Sequence, residues 1–296
     1  MAETILVTGA TSTVGSEVIK QLSKASTDVN IKAAVHSVEN VKKIVKKDDR
    51  MVEVVVIDYD KPESLAAAFK DADKLFLLTH DSPKSAEHAS NLVAEAKKSG
   101  IRHIVKLSAL GADMESVVAS LRLHRQAEKI IEESGTPYTF LRPGEFMQNF
   151  VNFNSQTIKE QGAFYLPAAG DPKVSFVDVR DIAAVAVKAL TDGNDKHKNK
   201  TWLITGPESL SYYQAAEILS NATGKKISYV NISKEEARRV MKEMGVDDWW
   251  INTIIEVYDF YRGGLQAQVS SAVEEVAGKK PISFSQFAKD YAQAFK

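Results

Sequence analysis

Cysteine does not occur in the 296 residues. Its absence excludes disulfides, thiolate metal sites and cysteine nucleophiles at once, and any redox chemistry must come from a borrowed cofactor. An excess of one charge is lacking as well: 38 Lys and Arg face 39 Asp and Glu, for a net charge of -1. A chain so balanced has no field to hold polyanionic nucleic acid or an anionic membrane surface, so no direct nucleic-acid role is expected. No apolar run approaches the roughly 20 residues of a membrane helix, and the first residues lack the basic-then-apolar pattern of a secretory signal. A cytoplasmic protein without membrane association is the expectation. The six histidines are scattered without acidic clusters, and the spacings of metalloprotease helices, hydrolase serine elbows and phosphate-loop lysines are missing. No metal site is expected.

What is present is alternation. Short runs rich in β-branched residues predict strands at Thr4–Thr8, Val29–Val35, Val52–Ile57, Lys74–Leu78, His103–Leu107 and Tyr138–Leu141. Between them helical periodicity predicts Val14–Lys24, Val38–Lys47, Pro62–Lys70, Ser85–Lys98 and Glu115–Glu133. This is how an α/β chain with a doubly wound parallel sheet reads, helices covering both faces. After Arg142 the pattern loosens to a helix near Met147–Lys159, a strand at Val174–Val177, a helix from Asp178 and a strand at Thr201–Ile204. From Ser211 on it is mostly helical. The expected division is a nucleotide-binding domain at 1–150 and a smaller lobe at 151–296, with 174–204 returning to the first domain. Ala168–Pro172 and Asp192–Lys200 read as surface loops.

The first strand ends in Thr8-Gly9-Ala10-Thr11-Ser12-Thr13-Val14-Gly15. A phosphate-binding turn needs a strand that stops abruptly, residues small enough for backbone N–H groups to approach a pyrophosphate, and a helix whose positive end starts there. Gly9 and Gly15 meet those needs with Ala10, Thr11, Ser12, Thr13 and Val14 between them, which points to a dinucleotide. A binder of NAD(H) places an acid at the end of the second strand to hold the ribose hydroxyls. Here that end reads Val35-His36-Ser37-Val38-Glu39. With no carboxylate at the strand end, a 2′-phosphate meets no repulsion, His36 and Ser37 can donate to it, and Lys42 or Lys43 can add charge. NADP(H) is favoured, with NAD(H) the alternative. Glu39 can reach back to a ribose or, more simply, serve as a helix-start acid complementing the dipole. Asp58, ending the third strand, suits the adenine edge, and Thr79 and His80 end the fourth strand near the cofactor's middle.

Several stretches in this order resemble the NmrA-like group of atypical short-chain dehydrogenases/reductases along nearly the whole chain. They are Val7-Thr8-Gly9-Ala10-Thr11, Lys106-Leu107-Ser108-Ala109-Leu110-Gly111, Thr136 to Pro143, Phe146-Met147-Gln148-Asn149, Val177 to Ala183 and Ile204-Thr205-Gly206-Pro207. The resemblance implies a Rossmann domain with a small C-terminal lobe and a bound NADP(H). In some members it implies reduction of quinones, triphenylmethane dyes or related carbonyl compounds; others resemble redox sensors that bind the nucleotide without turnover. It also implies that Ser108 lies beside the nicotinamide and that Pro143, Gly144, Phe146 and Asn149 wrap its ring, Phe146 being equally suited to a core. Two departures stand out. Ser12 replaces a glycine, so either the turn opens slightly or the hydroxyl donates to a phosphate, and His36 replaces an arginine.

The Tyr and Lys of a typical short-chain dehydrogenase, four residues apart, are missing. His124 and Glu128 stand at that spacing. At about 100° per residue they fall on the apolar arc of Val117, Leu121, Leu123, Ala127, Ile130 and Ile131, so each needs a partner. Two readings follow: a structural His-Glu pair, or a His124 that hydrogen-bonds the nicotinamide ribose or the substrate. Ser108, at a strand's carboxyl end, can donate to a substrate oxygen or simply serve the turn. Hydride transfer to a quinone-like acceptor tolerates loss of the tyrosine, because the product anion is stabilised by its own ring, whereas a simple ketone needs a donor. Asp178 and Asp181 read as helix caps. Trp249, Trp250, Tyr258, Phe260 and Tyr261 can roof a flat substrate or form core. The expectation is an NADPH-dependent reductase of a quinone-like or conjugated small-molecule acceptor, monomeric or homodimeric. The alternative is a nucleotide sensor acting on a regulatory protein partner; the missing Tyr and Lys disfavour sugar-nucleotide epimerisation.

Overall fold

The β-branched runs of the first half line up side by side. In a computed structural model of the chain, describing residues 2–25, 29–37, 39, 52–114, 118–264 and 266–296, β1 (Glu3–Val7) leads through α1 (Thr13–Leu22) to β2 (Val29–Val35) and β3 (Val52–Val56). Next come α2 (Pro62–Phe69), β4 (Lys74–Leu77), α3 (Ser85–Lys98), β5 (His103–Leu107), α4 (Ala119–Ser134) and β6 (Tyr138–Pro143). Then follow β7 (Glu145–Phe146), α5 (Ser155–Gln161), β8 (Ala163–Leu166), β9 (Phe176–Val177), α6 (Val179–Thr191), α7 (Asn194–His197) and β10 (Lys200–Ile204). The last are α8 (Tyr212–Thr223), β11 (Ser228–Asn231), α9 (Lys234–Glu243), α10 (Asp248–Arg262), α11 (Ala272–Ala277) and α12 (Phe284–Asp290). The helix expected over Val38–Lys47, with Lys42 and Lys43, falls outside the described residues apart from Glu39, as does the start of the one expected from Glu115.

The main sheet runs β10-β6-β5-β4-β1-β2-β3. β1 pairs parallel with β2 on one side and β4 on the other, Ile5 facing Ile31 and Leu6 facing Leu75. The order of strands reverses between β1 and β4, and a doubly wound sheet opens its ligand crevice at the carboxyl ends of such a pair. All four residues of β4 are buried, as a strand covered on both faces must be. Leu6, Leu75, Leu77, Leu92, Ile104, Ile131 and Phe140 form the core under α2, α3 and α4. No helix among the described residues is long and apolar enough to cross a membrane.

The chain forms two compact units, Met1–Ala112 with Leu123–Arg142 and Ile182–Trp202, and Asp113–Arg122 with Pro143–Asp181 and Leu203–Lys296. In the second, Phe150, Phe164, Phe176, Tyr212, Phe284 and Phe287 pack as an aromatic core. Several expectations need correction there. The helix expected near Met147–Lys159 is present, running unbroken over 148–161; what differs is that Phe150–Asn154 is wound as a π-helix, which buries Phe150 and leaves Phe153 77% exposed. The mostly helical C-terminal stretch contains β11, which pairs parallel with the equally unforeseen β8, and the loop at Asp192–Lys200 contains α7. The strand at Val174–Val177 shortens to β9, Val174 forming an isolated bridge to Leu210. Asp178 caps α6 as expected, whereas Asp181, expected to cap as well, bonds a distant segment instead. Asp178 accepts the Arg180 N–H at 2.8 Å, and Asp181 accepts the Ile282 N–H at 2.6 Å and pairs with Lys279.

Candidate functional site

β1 stops where its backbone has to reverse, and Gly9 makes the reversal at φ 62°, a left-handed value that disfavours residues with a Cβ. A Cβ there would stand 2.5 Å from Leu78 Cδ2. The adjoining strand ends are tied by Thr8, fully buried, whose hydroxyl accepts the Leu78 N–H at 2.9 Å and donates to the Leu78 carbonyl at 3.0 Å. Ser12 caps α1, its Oγ accepting the Gly15 N–H at 3.0 Å while its own N–H donates to the Gly9 carbonyl at 2.9 Å. The serine at this position therefore closes the turn rather than opening it. A Cβ on Gly15 would lie 2.2 Å from the Gly9 carbonyl oxygen, so the helix start packs directly on the turn.

This cradle fits a pyrophosphate. The first-turn N–H groups of a helix point out of its N-terminal end, where the dipole is positive, and α1 has no acid in its first turn to oppose an anion. The Ser12 cap uses an oxygen lone pair, which leaves the hydroxyl hydrogen for an outside acceptor such as a phosphate oxygen. No carboxylate ends β2. Instead the exposed His36 sets its ring edge against Tyr59, centroids 4.6 Å apart at 77°, and burial pushes the Tyr59 phenol up to about 12. Asp58 is engaged locally: Lys61 lies at 2.8 Å, the Asp60 N–H donates to it at 3.1 Å, and these bonds hold the carboxyl below its usual range. Thr79 is half-buried and His80 exposed just beyond β4, the His80 carbonyl accepting Ser85 Oγ–H at 3.0 Å. Among the described residues no three potential metal ligands cluster.

The carboxyl ends of β4, β5 and β6 meet α4 in a buried polar network. Ser108 N–H donates to the Leu141 carbonyl at 2.7 Å, which brings Arg142 alongside. Glu128, fully buried, accepts Ser108 Oγ–H at 2.7 Å, Arg142 Nε–H and Nη2–H at 2.9 and 2.7 Å, and Arg125 Nη1–H at 3.1 Å. Burial pulls its pKa up, but the bonds from Arg142 and Ser108 outweigh burial and keep the carboxyl below its usual range. His124 Nδ1 faces Lys106 Nζ at 3.1 Å and Nε2 faces Asp81 Oδ1 at 3.5 Å. Because an ammonium can only donate, Nδ1 accepts and Nε2 carries the hydrogen. Burial, then the Lys106 charge, press the imidazole down to about 4.

So the two inward groups of α4 do find partners, in different places: His124 turns to Lys106 and Asp81, Glu128 to Ser108 and Arg142. The Ser108 hydroxyl gives its hydrogen to Glu128 and keeps lone pairs for another donor. Lys106, Arg142 and Asp81 were not singled out by sequence reasoning. A lysine inside the apolar run His103–Leu107 and an arginine closing an apolar strand were the available signals, since a charge in a central strand must be paired.

His124 shares its depressed basicity with His103, 1% exposed at the start of β5, which burial and then Lys74 also hold down to about 4. Both are neutral in the fold, while each takes a proton near pH 6.5 when unfolded. The unfolded chain thus binds more protons between those values, and stability is expected to fall as pH drops from about 6.5 to 4, by up to roughly 3 kcal/mol per histidine. Urea midpoints at pH 7, 5.5 and 4.5 check this. His103→Gln should flatten the curve, and an equally steep fall in that variant would rule out His103 as a source.

In the second unit, Pro143 closes β6 and Gly144 donates its N–H to the Ile204 carbonyl at 3.0 Å, with no room for a Cβ, which would meet the Ser175 carbonyl at 2.2 Å. Phe146 is half-buried in β7, opposite Val177. Asn149 donates its amide to Glu145 Oε1 at 2.7 Å, and the Tyr261 hydroxyl bonds Glu145 Oε2. Tyr258, Phe260 and Tyr261 pack on this unit's core, while Trp249 and Trp250 are half-buried with ring centroids 5.3 Å apart.

Comparison with known proteins agrees with this geometry. The NmrA-like family profile matches residues 1–288. The NAD(P)H azoreductase of Xenophilus azovorans is 36% identical over 98% of this chain and 99% of its own. The Citrobacter sp. triphenylmethane reductase complexed with NADP(H) superposes with a TM-score of 0.84 at 29% identity, covering 97% of this chain and 99% of that one. The Escherichia coli quinone oxidoreductase QOR2 complexed with NADPH gives 0.85 at 25% identity over the same shares, 97% and 99%. The chain belongs to the NmrA-like family, and its fold is that of NADP(H)-binding oxidoreductases related to quinone and triphenylmethane reductases.

Proposed function

We propose that this protein is an NADPH-dependent reductase of quinone-like or other conjugated acceptors. The observation that carries the reading is the closed Gly9–Gly15 cradle at the start of α1, next to a β2 end with no carboxylate. Bound there, the nucleotide would supply hydride; the chain supplies the cradle, orientation and a dry network. His36 and Ser12 would meet the adenosine-side and bridging phosphates, Asp58 would lie toward the adenine edge, and Thr79 and His80 would lie toward the middle. Pro143, Phe146 and Asn149 would line the nicotinamide. His124, 17% exposed, would be the group beside the acceptor, with Ser108 held by Glu128 as its neighbour. The related azoreductase, quinone oxidoreductase and triphenylmethane reductase are named for conjugated acceptors, none of which leaves the localised alkoxide that a tyrosine would have to protonate.

Purified protein is expected to oxidise NADPH when a benzoquinone, a naphthoquinone, an azo dye or a triarylmethyl dye is added, and to bind NADPH at least about tenfold more tightly than NADH, a difference of about 1.4 kcal/mol. Absorbance decay and calorimetric titration read both. His124→Ala should slow quinone turnover by about 100-fold while leaving NADPH affinity within about twofold. Tight nucleotide binding with no turnover across the panel would favour a nucleotide sensor instead.

A further inference from the structure

Lys106 is a lysine withdrawn from water, 1% exposed in the central strand β5. Lysines are almost never fully buried without a carboxylate partner, and one is at hand in Glu128. Yet Glu128 is taken up by Ser108, Arg142 and Arg125, and Lys106 Nζ donates to neutral atoms, the Leu107 carbonyl at 2.7 Å and His124 Nδ1 at 3.1 Å. From His124 the line continues: Nε2 faces Asp81, which is 33% exposed and so opens toward solvent. An ammonium, a neutral imidazole whose Nδ1 accepts from it, and a partly exposed carboxylate 3.5 Å beyond Nε2 stand in sequence.

We propose that Lys106, His124 and Asp81 form a proton relay that serves acceptors whose reduction needs a proton together with hydride. The proposal rests on the reductase reading above. The acceptor receives hydride from a reduced nicotinamide nucleotide; a π bond of the quinone breaks and leaves an electron pair on oxygen. That oxygen takes the hydrogen from His124 Nε2, while Nδ1 takes a proton from the Lys106 ammonium, leaving an amine. In sum, acceptor, reduced nucleotide and one proton become the dihydro product and the oxidised nucleotide. The amine regains its proton from solvent through Asp81 and His124. A triarylmethyl dye cation needs none of this, because hydride at its central carbon already gives a neutral product.

The charges facing Lys106 are Glu128 and Asp81, which favour its ammonium, and Arg142, which opposes it; burial dominates and brings the lysine down to about 8. Above that pH the relay starts without its proton. Wild-type quinone turnover should therefore fall about tenfold per pH unit above 8, while turnover of the dye cation does not follow it. In Lys106→Met the ratio of quinone to dye turnover should drop about 30-fold and the alkaline limb should vanish. Equal slowing of both acceptors, an unchanged alkaline limb, or a wild-type protein that reduces the dye but no quinone would overturn the relay. A wild-type protein that binds NADPH and reduces neither acceptor would overturn the reductase reading, and the relay with it. A second readout needs no variant: in ¹⁵N NMR of the NADPH complex, His124 Nδ1 should shift between pH 7 and 9 as its lysine partner titrates. An imidazole unresponsive over that range would also refute the proposal.

Discussion

Gly15→Ala is expected to weaken NADPH binding by at least about 100-fold and to destabilise the protein by about 2–3 kcal/mol. The added methyl would sit 2.2 Å from the Gly9 carbonyl oxygen and 2.9 Å from its carbon, both backbone atoms, and 3.1 Å from Ser12 Oγ. No side chain can swing away to make room. Relief requires the start of α1 to move about 1 Å from the turn, which lengthens the Ser12 cap and shifts the donors that a pyrophosphate would use. Charge-assisted bonds weaken steeply with such displacement. Ser16→Ala, one residue on and exposed, is the control that leaves both properties near wild type. Calorimetric titration and thermal unfolding measure the two effects. An alanine variant that binds NADPH within threefold of wild type would mean that the cradle does not hold the nucleotide.

The second large effect concerns Glu128→Ala, expected to cost about 3–5 kcal/mol, because it removes the carboxylate that two Arg142 bonds and the Ser108 hydroxyl converge on in a buried network. Arg142, 12% exposed, would lose both of its bonds to Glu128, whereas Arg125 would retain Glu132 at 3.0 and 3.2 Å. Replacing both members with leucine removes the buried guanidinium along with its carboxylate. The double variant should therefore be more stable than the Glu128→Ala single variant. Urea unfolding of wild type, Glu128→Ala, Glu128→Leu, Arg142→Leu and the double variant supplies the cycle. Strictly additive leucine losses would show that the two residues do not act as a pair.

The parts of the fold that could be read in the chain are those whose signal is local. The strands His103–Leu107 and Val29–Val35 and the helix Ser85–Lys98 match their expected bounds residue for residue, since each is a complete period of its own pattern. The glycine turn was legible for the same reason. The buried network was half legible: helical period showed that His124 and Glu128 point inward, but their partners come from other strands. Lys106 is 18 residues from His124, and Ser108 is 20 from Glu128. β8 and β11 lay beyond reach because β8 follows α5 after a single glycine and β11 is polar at both ends, Ser228 and Asn231, so neither stands out as an apolar run. What holds them is non-local, Phe164 and Tyr229 stacking at 5.5 Å in the core of their unit.

The tie between Thr8 and Leu78 has a consequence for how such a protein can vary. Where β1 and β4 part, one hydroxyl satisfies an amide and a carbonyl of the facing strand, so the spacing at the mouth of the crevice is gauged by a covalent side chain instead of by the loops around it. The segment beyond Thr79 can then lengthen or shorten, re-shaping what lies over the opening for new ligands, while its calibre stays constant.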